Sequence, residues 1–249
     1  MSSNVFDRYG RYYDLLYRDK DYETEAKYVA RILRATRPDT KTLLEFGLGT
    51  GRHGQILKLY GFEVFGVERS ASMVTAARAR GLDCVQDDIQ TVRLDRLFDG
   101  VIALFHVVSY QVGDRDVRAT FANAARHLHR DGLFLFDVWH GPAVLSQGLG
   151  VRVKRAEDEK VQLTRTAEPE LHPDSPVATV RYKMLVESKT NNRSQLFEEE
   201  HRMRYFFPAE ISELAAGSGF EIERTEELVT GTAPSENTWA ACYLLRKRA

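Results

Sequence analysis

A short apolar segment that runs into a glycine-rich turn constrains this sequence more than any other feature. Residues 41–46 are typical of a buried strand, and they are followed by Gly47, Gly49 and Gly51. Glycine has no side-chain bulk and adopts positive φ angles at little cost, so a flat ligand can lie directly on the backbone of such a turn. A helix is predicted to begin near Arg52. The segment therefore predicts the start of a ligand-binding βαβ unit.

The next predicted strand ends in an acidic residue. This strand covers residues 63–67, and Glu68 follows it directly. A carboxylate at this point can accept hydrogen bonds from both hydroxyls of a ribose, as it does in dinucleotide-binding units. The dinucleotide fingerprint is G-x-G-x-x-G, whereas the run here is E-x-G-x-G-T-G, from Glu45 to Gly51.

This run resembles the first motif of the class I S-adenosylmethionine (SAM) methyltransferases. The resemblance implies that SAM is the cofactor and S-adenosylhomocysteine its product. The alternative is a Rossmann-like domain that binds NAD or no ligand, because fold analogy alone does not establish function.

Strand-like and helical segments alternate along the first 150 residues, which predicts an α/β fold. The predicted strands are 41–46, 63–67, 82–86, 98–104 and 133–138, and the predicted helices are 21–35, 52–60, 71–80 and 114–129. With two more strands near the C-terminus, 220–228 and 237–246, this gives a doubly wound, mostly parallel sheet of seven strands. That is the Rossmann-like fold of class I methyltransferases.

From residue 151 the pattern changes to strand-like segments with period-two alternation, which predicts an antiparallel β insertion after strand five. Pro169, Pro173 and Pro176 are expected to break it, and Asn191-Asn192 to form a hairpin turn. The chain is expected to be one structural domain with four parts. These are an N-terminal helical lid (1–40), a SAM-binding core (41–150), the insertion on the substrate side (151–207), and the C-terminal part of the core sheet (208–249).

The composition sets limits on partners. The formal net charge of the 249 residues is −1, so no global field attracts nucleic acid or an anionic membrane. The longest apolar run, near 101–110, is too short to span a bilayer, and no signal peptide is recognised. We therefore expect a cytoplasmic protein that binds neither nucleic acid nor membrane. The sequence offers no cluster of metal ligands, so no metal is expected.

The N-terminal region carries aromatic residues at helical spacing. Tyr9, Tyr13 and Tyr17 recur every fourth residue and would share one helix face. Two interpretations stand: a helix that packs its aromatics on the core, or a lid over the cofactor with a tyrosine hydroxyl facing the methyl donor. Tyr17 is the candidate for that hydroxyl.

Methyl transfer from a sulfonium is a direct displacement, so the protein must align the reacting atoms and, for an amine or hydroxyl acceptor, remove a proton. Three histidines are predicted at the rim of the site: His106 after strand four, His140 after strand five and His201 in the insertion. Each could act as the base, since the ordinary histidine pKa is near 6.5. A single histidine beside an apolar strand is also often structural. Tyr110 is a candidate for orienting the acceptor.

The resemblance narrows to bacterial nucleotide-sugar amine N-methyltransferases, which dimethylate the 3-amino group of dTDP-linked deoxysugars. It rests on Tyr13-Asp-Leu-Leu-Tyr17, Lys20-Asp-Tyr-x-x-Glu-Ala26, Glu68, the helix motif Ser70-x-x-Met73-x-x-x-Ala77, Tyr110 and His201. It implies a small-molecule partner, a nucleotide sugar, and a monomer or homodimer. The cofactor-binding residues it implies are Tyr13, Glu45, Gly47, Gly49, Thr50, Gly51, Glu68, Arg69, Met73, Asp87, Asp88, Ile89 and Phe105. For Asp87-Asp88 the adenine amino group and a simple turn are equal alternatives.

The sequence departs from that family after strands four and five. Phe105-His106-Val107 replaces a small, serine-rich segment, and Asp137-Val-Trp139-His140 replaces an acidic-Pro-Trp-Trp run. O-methylation of a sugar or glycan, N-methylation of another small amine, and a non-catalytic SAM- or nucleotide-binding module are therefore the alternatives. A nucleic-acid amino-methyltransferase would carry Asn/Asp-Pro-Pro-aromatic after strand four, and a protein arginine methyltransferase two glutamates there; the sequence has neither.

Overall fold

The computed structural model describes residues 6, 8–191 and 193–248. After a 3₁₀ turn at Tyr9–Tyr12, the helices are α1 (Tyr13–Leu16), α2 (Tyr22–Thr36), α3 (Arg52–Leu59), α4 (Ala71–Ala79), α5 (Asp114–Arg126), α6 (Gly141–Gln147) and α7 (Pro208–Gly217). The strands are β1 (Thr42–Phe46), β2 (Glu63–Glu68), β3 (Asp83–Gln86), β4 (Phe98–Ala103), β5 (Leu128–His140), β6 (Arg152–Glu157), β7 (Val161–Leu171), β8 (Val177–Ser188), β9 (Ser194–Phe206), β10 (Phe220–Glu227) and β11 (Ala240–Lys247).

Seven strands form the core sheet in the order β3-β2-β1-β4-β5-β11-β10. The first five are parallel, while β11 is antiparallel to both β5 and β10. Helices α2, α3 and α4 pack on one face of the sheet, and α5 and α7 on the other. The core under α5 and α7 contains Phe121, Phe134 and Phe136. The predicted fold class is confirmed, because buried β-branched and aromatic strands alternate with amphipathic helices as the sequence indicates.

The antiparallel sheet is an extension of the core. Strands β6 to β9 pair in sequence order, and the end of β9 pairs in parallel with the end of β5, where Trp139 faces Tyr205 and His140 faces Phe206. Pro169 lies inside β7, although it was expected to break the strand. The pairing of β6 with β7 ends at Ala167, so on that side no strand needs the N–H that proline lacks.

Several element bounds differ from the expectation. Helix α5 ends at Arg126, and β5 already begins at Leu128, because residues 129–132 bulge within the strand and Asp131 has a φ of +59°. Helix α6 was not predicted.

The division of the chain into four parts stays a prediction. Residues 1–5, Asp7, Asn192 and Ala249 lie outside the described residues.

The N-terminal tyrosines do not form one continuous helix. A 3₁₀ turn holds Tyr9, and the short helix α1 begins at Tyr13 and ends before Tyr17. Tyr9 and Leu16 are buried against the antiparallel sheet, so the segment is anchored by packing rather than by helix length.

No helix in the described ranges combines the length and apolarity that a bilayer crossing requires. The cytoplasmic location stays a prediction.

The turn after β1 depends on Gly51 for both backbone and space. Its φ is +83°, and a Cβ there would overlap the Leu82 side chain and lie 3.2 Å from the Cβ of Ala77. Gly81 has a similar φ of +76°, but nothing lies within 4 Å of its missing Cβ. Both positions therefore impose the left-handed backbone, and only Gly51 adds a steric conflict.

We predict that Gly51→Ala lowers the free energy of unfolding by about 2–5 kcal/mol, the sum of left-handed strain and overpacking. Gly81→Ala is the matched control and should cost only about 1–2 kcal/mol. Urea unfolding of both variants measures the difference. Equal losses would show that space at Gly51 is not limiting.

Candidate functional site

One cavity of about 820 Å³ lies at the carboxyl ends of the parallel strands. Its walls are the turn after β1, the end of β2, the loops after β3 and β4, the N-terminal segment and the inner face of the antiparallel sheet. The carboxyl edge of an open α/β sheet is the usual ligand position. Two groups of side chains share the cavity, one on the core and one on the insertion.

Glu68 organises the core side of the cavity. Its Oε2 accepts the N–H of Gly49 at 2.9 Å and its Oε1 accepts the N–H of Ser70 at 2.8 Å. Burial raises the pKa of this carboxyl, and the backbone N–H groups act in the opposite direction. Each oxygen keeps a second lone pair for a ligand hydroxyl. Gly49 leaves open space beside it, since the nearest atom to its missing Cβ is 4.0 Å away.

Glu45 and Gly51 belong to the same motif but do not line the cavity. Glu45 is buried beneath the turn, and its Oε2 has no hydrogen-bond partner. Burial, and then the charge of Glu68, raises the pKa of Glu45 to about 8, so this carboxyl is mostly protonated at neutral pH. Gly51 faces Leu82 and Ala77 instead of the cavity. Both residues were expected to contact the ligand directly. The structure corrects this expectation, because they support the turn from beneath instead.

The two aspartates after β3 form a turn and also line the cavity. Asp87 accepts the N–H of Asp88 at 2.7 Å, and Asp88 accepts the N–H of Gln90 at 2.9 Å, as in a turn. Both residues also line the cavity, and Arg69 lies 3.9 Å from Asp88. Their contact with adenine stays a prediction.

His106 lies on a strained loop and is held by a buried carboxylate. Phe105 and His106 have φ angles of +63° and +64°, which are unusual for side chains of this size. The Oδ2 atom of Asp137 accepts the backbone N–H of His106 at 3.0 Å and lies 2.6 Å from Nδ1 of the His106 imidazole, within ion-pair distance. Asp137 is fully buried at the end of β5. Because Nδ1 lies beside the Asp137 carboxylate, Nε2 is the nitrogen left for the cavity, which His106 lines.

Asp137 was not predicted as a partner of His106, and it was noted only in the segment after strand five that departs from the resembled family. The signal was present, because an acidic residue inside a fully apolar buried strand requires a polar partner. The partner is 31 residues away in the chain, so spacing alone does not identify it.

His201 belongs to a second buried network. Its Nδ1 lies 3.0 Å from the hydroxyl of Tyr110, and its Nε2 lies 3.6 Å from Glu199. Burial lowers the pKa of His201, which is therefore neutral at pH 7. The carboxylate beside Nε2 favours a hydrogen on that nitrogen, so Nδ1 accepts the hydrogen bond of Tyr110.

Glu199 also fastens the N-terminal segment. Its carboxylate accepts the backbone N–H groups of Phe6, Arg8 and Tyr9 at 3.0, 3.0 and 2.9 Å. Burial raises its pKa, but His201 and these three donors outweigh burial, so the pKa is lowered overall. Its contribution to stability is therefore present above the ordinary glutamate pKa and is lost as the pH falls through the lowered value.

His140 was expected at the rim of the site, and this prediction is wrong because its side chain does not line the cavity. Adjacent side chains of a strand point to opposite faces, and Trp139 takes the cavity side of β5. His140 is buried, and its N–H donates to the carbonyl of Trp239 at 3.0 Å. Burial lowers the pKa of this histidine.

Tyr17 lies inside the cavity beside a residue that sequence reasoning missed. Arg165, on β7, donates to the hydroxyls of Tyr9 and Tyr17 at 3.1 and 3.0 Å. The ring of Tyr17 also packs edge-on against Phe105, at 5.2 Å between centroids. Arg165 carries no local motif, and only the pairing of β7 with β8 brings it to the site.

Most predicted residues come together in the cavity. Those that line it are Tyr13, Tyr17, Gly47, Gly49, Thr50, Glu68, Arg69, Met73, Asp87, Asp88, Ile89, Phe105, His106 and His201. Glu45, Gly51 and His140 do not. Within the described ranges no group of three or more metal-ligating side chains is present.

Comparison with known proteins identifies a domain in the first half of the chain. Residues 43–132 match the family model described as a methyltransferase domain. This range contains the glycine turn, Glu68 and the loop of His106.

Two characterised relatives are similar to the chain. A dTDP-3-amino-3,4,6-trideoxy-alpha-D-glucopyranose N,N-dimethyltransferase of Streptomyces venezuelae is 35% identical over 55% of this chain and 59% of its own length. A dTDP-3-amino-3,6-dideoxy-alpha-D-glucopyranose N,N-dimethyltransferase of Streptomyces fradiae is 27% identical over 85% of this chain and 83% of its own. The chain thus matches little more than half of the first relative and most of the second.

A solved structure has the same fold along the whole chain. The SAM-bound structure of CalS10, an amino pentose methyltransferase from Micromonospora echinaspora, superposes with a TM-score of 0.75. It is 24% identical and covers 99% of both chains.

We predict that Glu199→Gln loosens the N-terminal segment, because the charge that accepts three N–H groups is removed. Limited proteolysis should cut between residues 6 and 20 faster, and the free energy of unfolding should fall by about 1–3 kcal/mol. Glu198→Gln is the control: Glu198 is exposed on the same strand. Equal cleavage of the two variants would contradict the role of Glu199.

Proposed function

We propose that the chain is a class I SAM-dependent methyltransferase that methylates the amino group of a nucleotide-linked amino sugar, because residues 43–132 match a methyltransferase domain and the chain is similar to two dTDP-amino-sugar N,N-dimethyltransferases. The observation that carries the proposal is the His106–Asp137 pair, which holds an imidazole at the cavity between the two halves of the site. The activities for which both relatives are named, N,N-dimethylation of dTDP-amino sugars, support an amino-sugar acceptor. SAM is the methyl donor of this family.

The core half of the cavity fits the donor. We assign the ribose hydroxyls to Glu68, whose oxygens keep free lone pairs, and the adenine end to the loop of Asp87, Asp88 and Ile89. Gly47, Gly49 and Thr50 would lie under the amino-acid part. Tyr13, Arg69, Met73 and Phe105 would enclose the cofactor, because all four line the same cavity.

The acceptor half positions an amine for in-line attack. When bound, SAM supplies a methyl group whose bond to sulfur breaks as the bond to nitrogen forms, so that the sulfur leaves as a neutral thioether. The acceptor nitrogen must be unprotonated to attack, and it must lose a proton to stay neutral afterwards. We assign this proton to Nε2 of His106, and the buried charge of Asp137 stabilises the imidazolium that results.

Tyr17 and the His201–Tyr110 pair are proposed to orient the acceptor. Their hydroxyls lie in the cavity and are fixed by Arg165 and His201. Burial raises the pKa of Tyr110, so this hydroxyl donates and accepts hydrogen bonds as a neutral group. His201 is therefore a positioning residue in this proposal, while His106 takes the proton.

O-methylation of a sugar or glycan and N-methylation of another small amine are the alternative activities. The loop Phe105-His106-Val107, which differs from the resembled family, supports a different acceptor shape. A homodimer or monomer is compatible with either proposal.

The direct test is turnover with a matched pair of acceptors. A dTDP-linked 3-amino-3,6-dideoxyglucose should yield S-adenosylhomocysteine and a methylated sugar, read by mass spectrometry. The analogue with a hydroxyl at the same carbon should yield neither. Turnover of the hydroxyl analogue alone would favour O-methylation, and turnover of neither would refute the nucleotide-sugar assignment.

We predict that Glu68→Ala weakens S-adenosylhomocysteine binding by about 1.5–3 kcal/mol, the range for hydrogen bonds to a charged group. Calorimetry measures this. Glu68→Gln is a second variant, since it keeps one acceptor oxygen, and Glu63→Ala, at the exposed start of the same strand, is the control. An unchanged affinity would remove Glu68 from the ribose role.

We predict that His106→Gln lowers kcat by about 10²–10⁴-fold, the usual range for a lost general base, with cofactor affinity unchanged. Asp137→Asn should lower kcat less, because it keeps the base and removes only the charge that stabilises imidazolium. Exposed His129→Gln is the control. Full turnover by His106→Gln would show that the amine arrives unprotonated and needs no base.

A further inference from the structure

Arg165 is a buried cation that faces the cavity from the acceptor side. Only 9% of the residue is exposed, and it lines the cavity beside Ala167 and Tyr182. Its Nη1 donates to the hydroxyls of Tyr9 and Tyr17, and its guanidinium carbon lies 5.0 Å from the ring centroid of Tyr182. The side chain is therefore fixed in place by three aromatic residues.

Arg165 has no anionic partner in the described part of the chain. No carboxylate oxygen there lies within ion-pair distance of its guanidinium. Burial raises the pKa of Tyr9 above its ordinary value, so the Tyr9 hydroxyl that Arg165 contacts is neutral and supplies no counter-charge. A buried charge without a counter-charge costs free energy, so an anionic ligand that pairs with Arg165 would remove that cost.

The donors of Arg165 that remain free have a definite geometry. Because Nη1 is used by the two tyrosines, Nε and Nη2 are left, and Nε is buried without any partner. These two nitrogens form the edge of guanidinium that binds two oxygens of one carboxylate or phosphate in parallel.

Two further arginines extend the positive charge towards the mouth of the cavity. Arg152 and Arg202 line it, both are exposed, and neither forms an ion pair with a described residue. Four acidic residues of the cavity lie on the core side: Glu68, Asp87, Asp88 and Asp116. One further acidic residue lines the cavity, the exposed Glu200 on the strand that carries Arg202.

We propose that Arg165 forms an oxyanion subsite that binds a negatively charged group of the methyl acceptor, with Arg152 and Arg202 along its entry. The inference rests on the proposed methyl transfer and assigns the residues that hold the anionic group of the acceptor, which in a nucleotide-linked sugar is the diphosphate. The acceptor carries a phosphate or a carboxylate, and this group orients the amine relative to His106.

The two sources of such a group are separated by calorimetry on protein saturated with S-adenosylhomocysteine. Inorganic pyrophosphate and acetate are the probes. Binding of pyrophosphate alone assigns a phosphorylated acceptor, and binding of acetate alone assigns a carboxylated one. Binding of neither probe overturns the proposal.

Variants locate the binding. Arg165→Gln should lower the affinity of the protein for the probe by about 10- to 100-fold, since it removes a charged two-point contact. Arg181→Gln is the control, because it removes the same charge from the protein. Arg181 is exposed on β8 and lies outside the cavity. Equal binding by Arg165→Gln and wild type would place the anion elsewhere and overturn the proposal.

Arg165→Gln also removes the hydrogen bonds to Tyr9 and Tyr17, so a second variant is needed to separate the two effects. Arg165→Lys keeps the charge but lacks the planar edge, so it should bind the probe several-fold more weakly than wild type. The affinity of each variant for S-adenosylhomocysteine reports whether the cavity is intact. Methyl transfer to an amino sugar without anion binding would refute this inference alone, whereas anion binding without such transfer would refute only the proposed acceptor.

Discussion

The hydrogen bonds of the Glu68 carboxylate connect the three parts of the chain that build the cofactor half of the cavity. The residue ends β2, and its two oxygens hold the turn after β1 through Gly49 and the start of α4 through Ser70. A buried carboxylate with only two donors is under-satisfied, because each oxygen can accept a second hydrogen bond. The remaining capacity points into the cavity, so the same interaction that orders the turn also prepares a place for two ligand hydroxyls.

The acceptor half depends on the length of β5. This strand continues past the core sheet and pairs with β9, which brings the antiparallel sheet over the carboxyl edge of the parallel strands. The same extension places Asp137 beneath the loop of His106 and Trp139 in the cavity wall. Glu199 then fastens the N-terminal segment over this sheet. The cavity is therefore enclosed by residues that are far apart in the sequence.

The sequence predicted those features whose cause is local. The apolar strand before Gly47, the acidic end of β2 and the period-two insertion follow from side-chain pattern alone, and all are present in the structure. The position of Pro169 inside β7 was missed because it depends on where β6 ends. His140 was expected at the rim because its side could not be assigned until β9 paired with β5. Arg165 and Asp137 were not recognised as site residues because the residues that they contact, Tyr17 and His106, come from other segments of the chain, so these contacts appear only in three dimensions.

The central claim is that one cavity is divided between a cofactor half on the core and an acceptor half under the antiparallel sheet. A crystal structure of the protein with S-adenosylhomocysteine and dTDP tests it most directly. The account predicts the ribose hydroxyls of the cofactor on Glu68, its sulfur directed towards Tyr17 and His106, and the dTDP phosphates on the side of Arg165. A cofactor bound away from Glu68, or dTDP in the glycine turn, would contradict it.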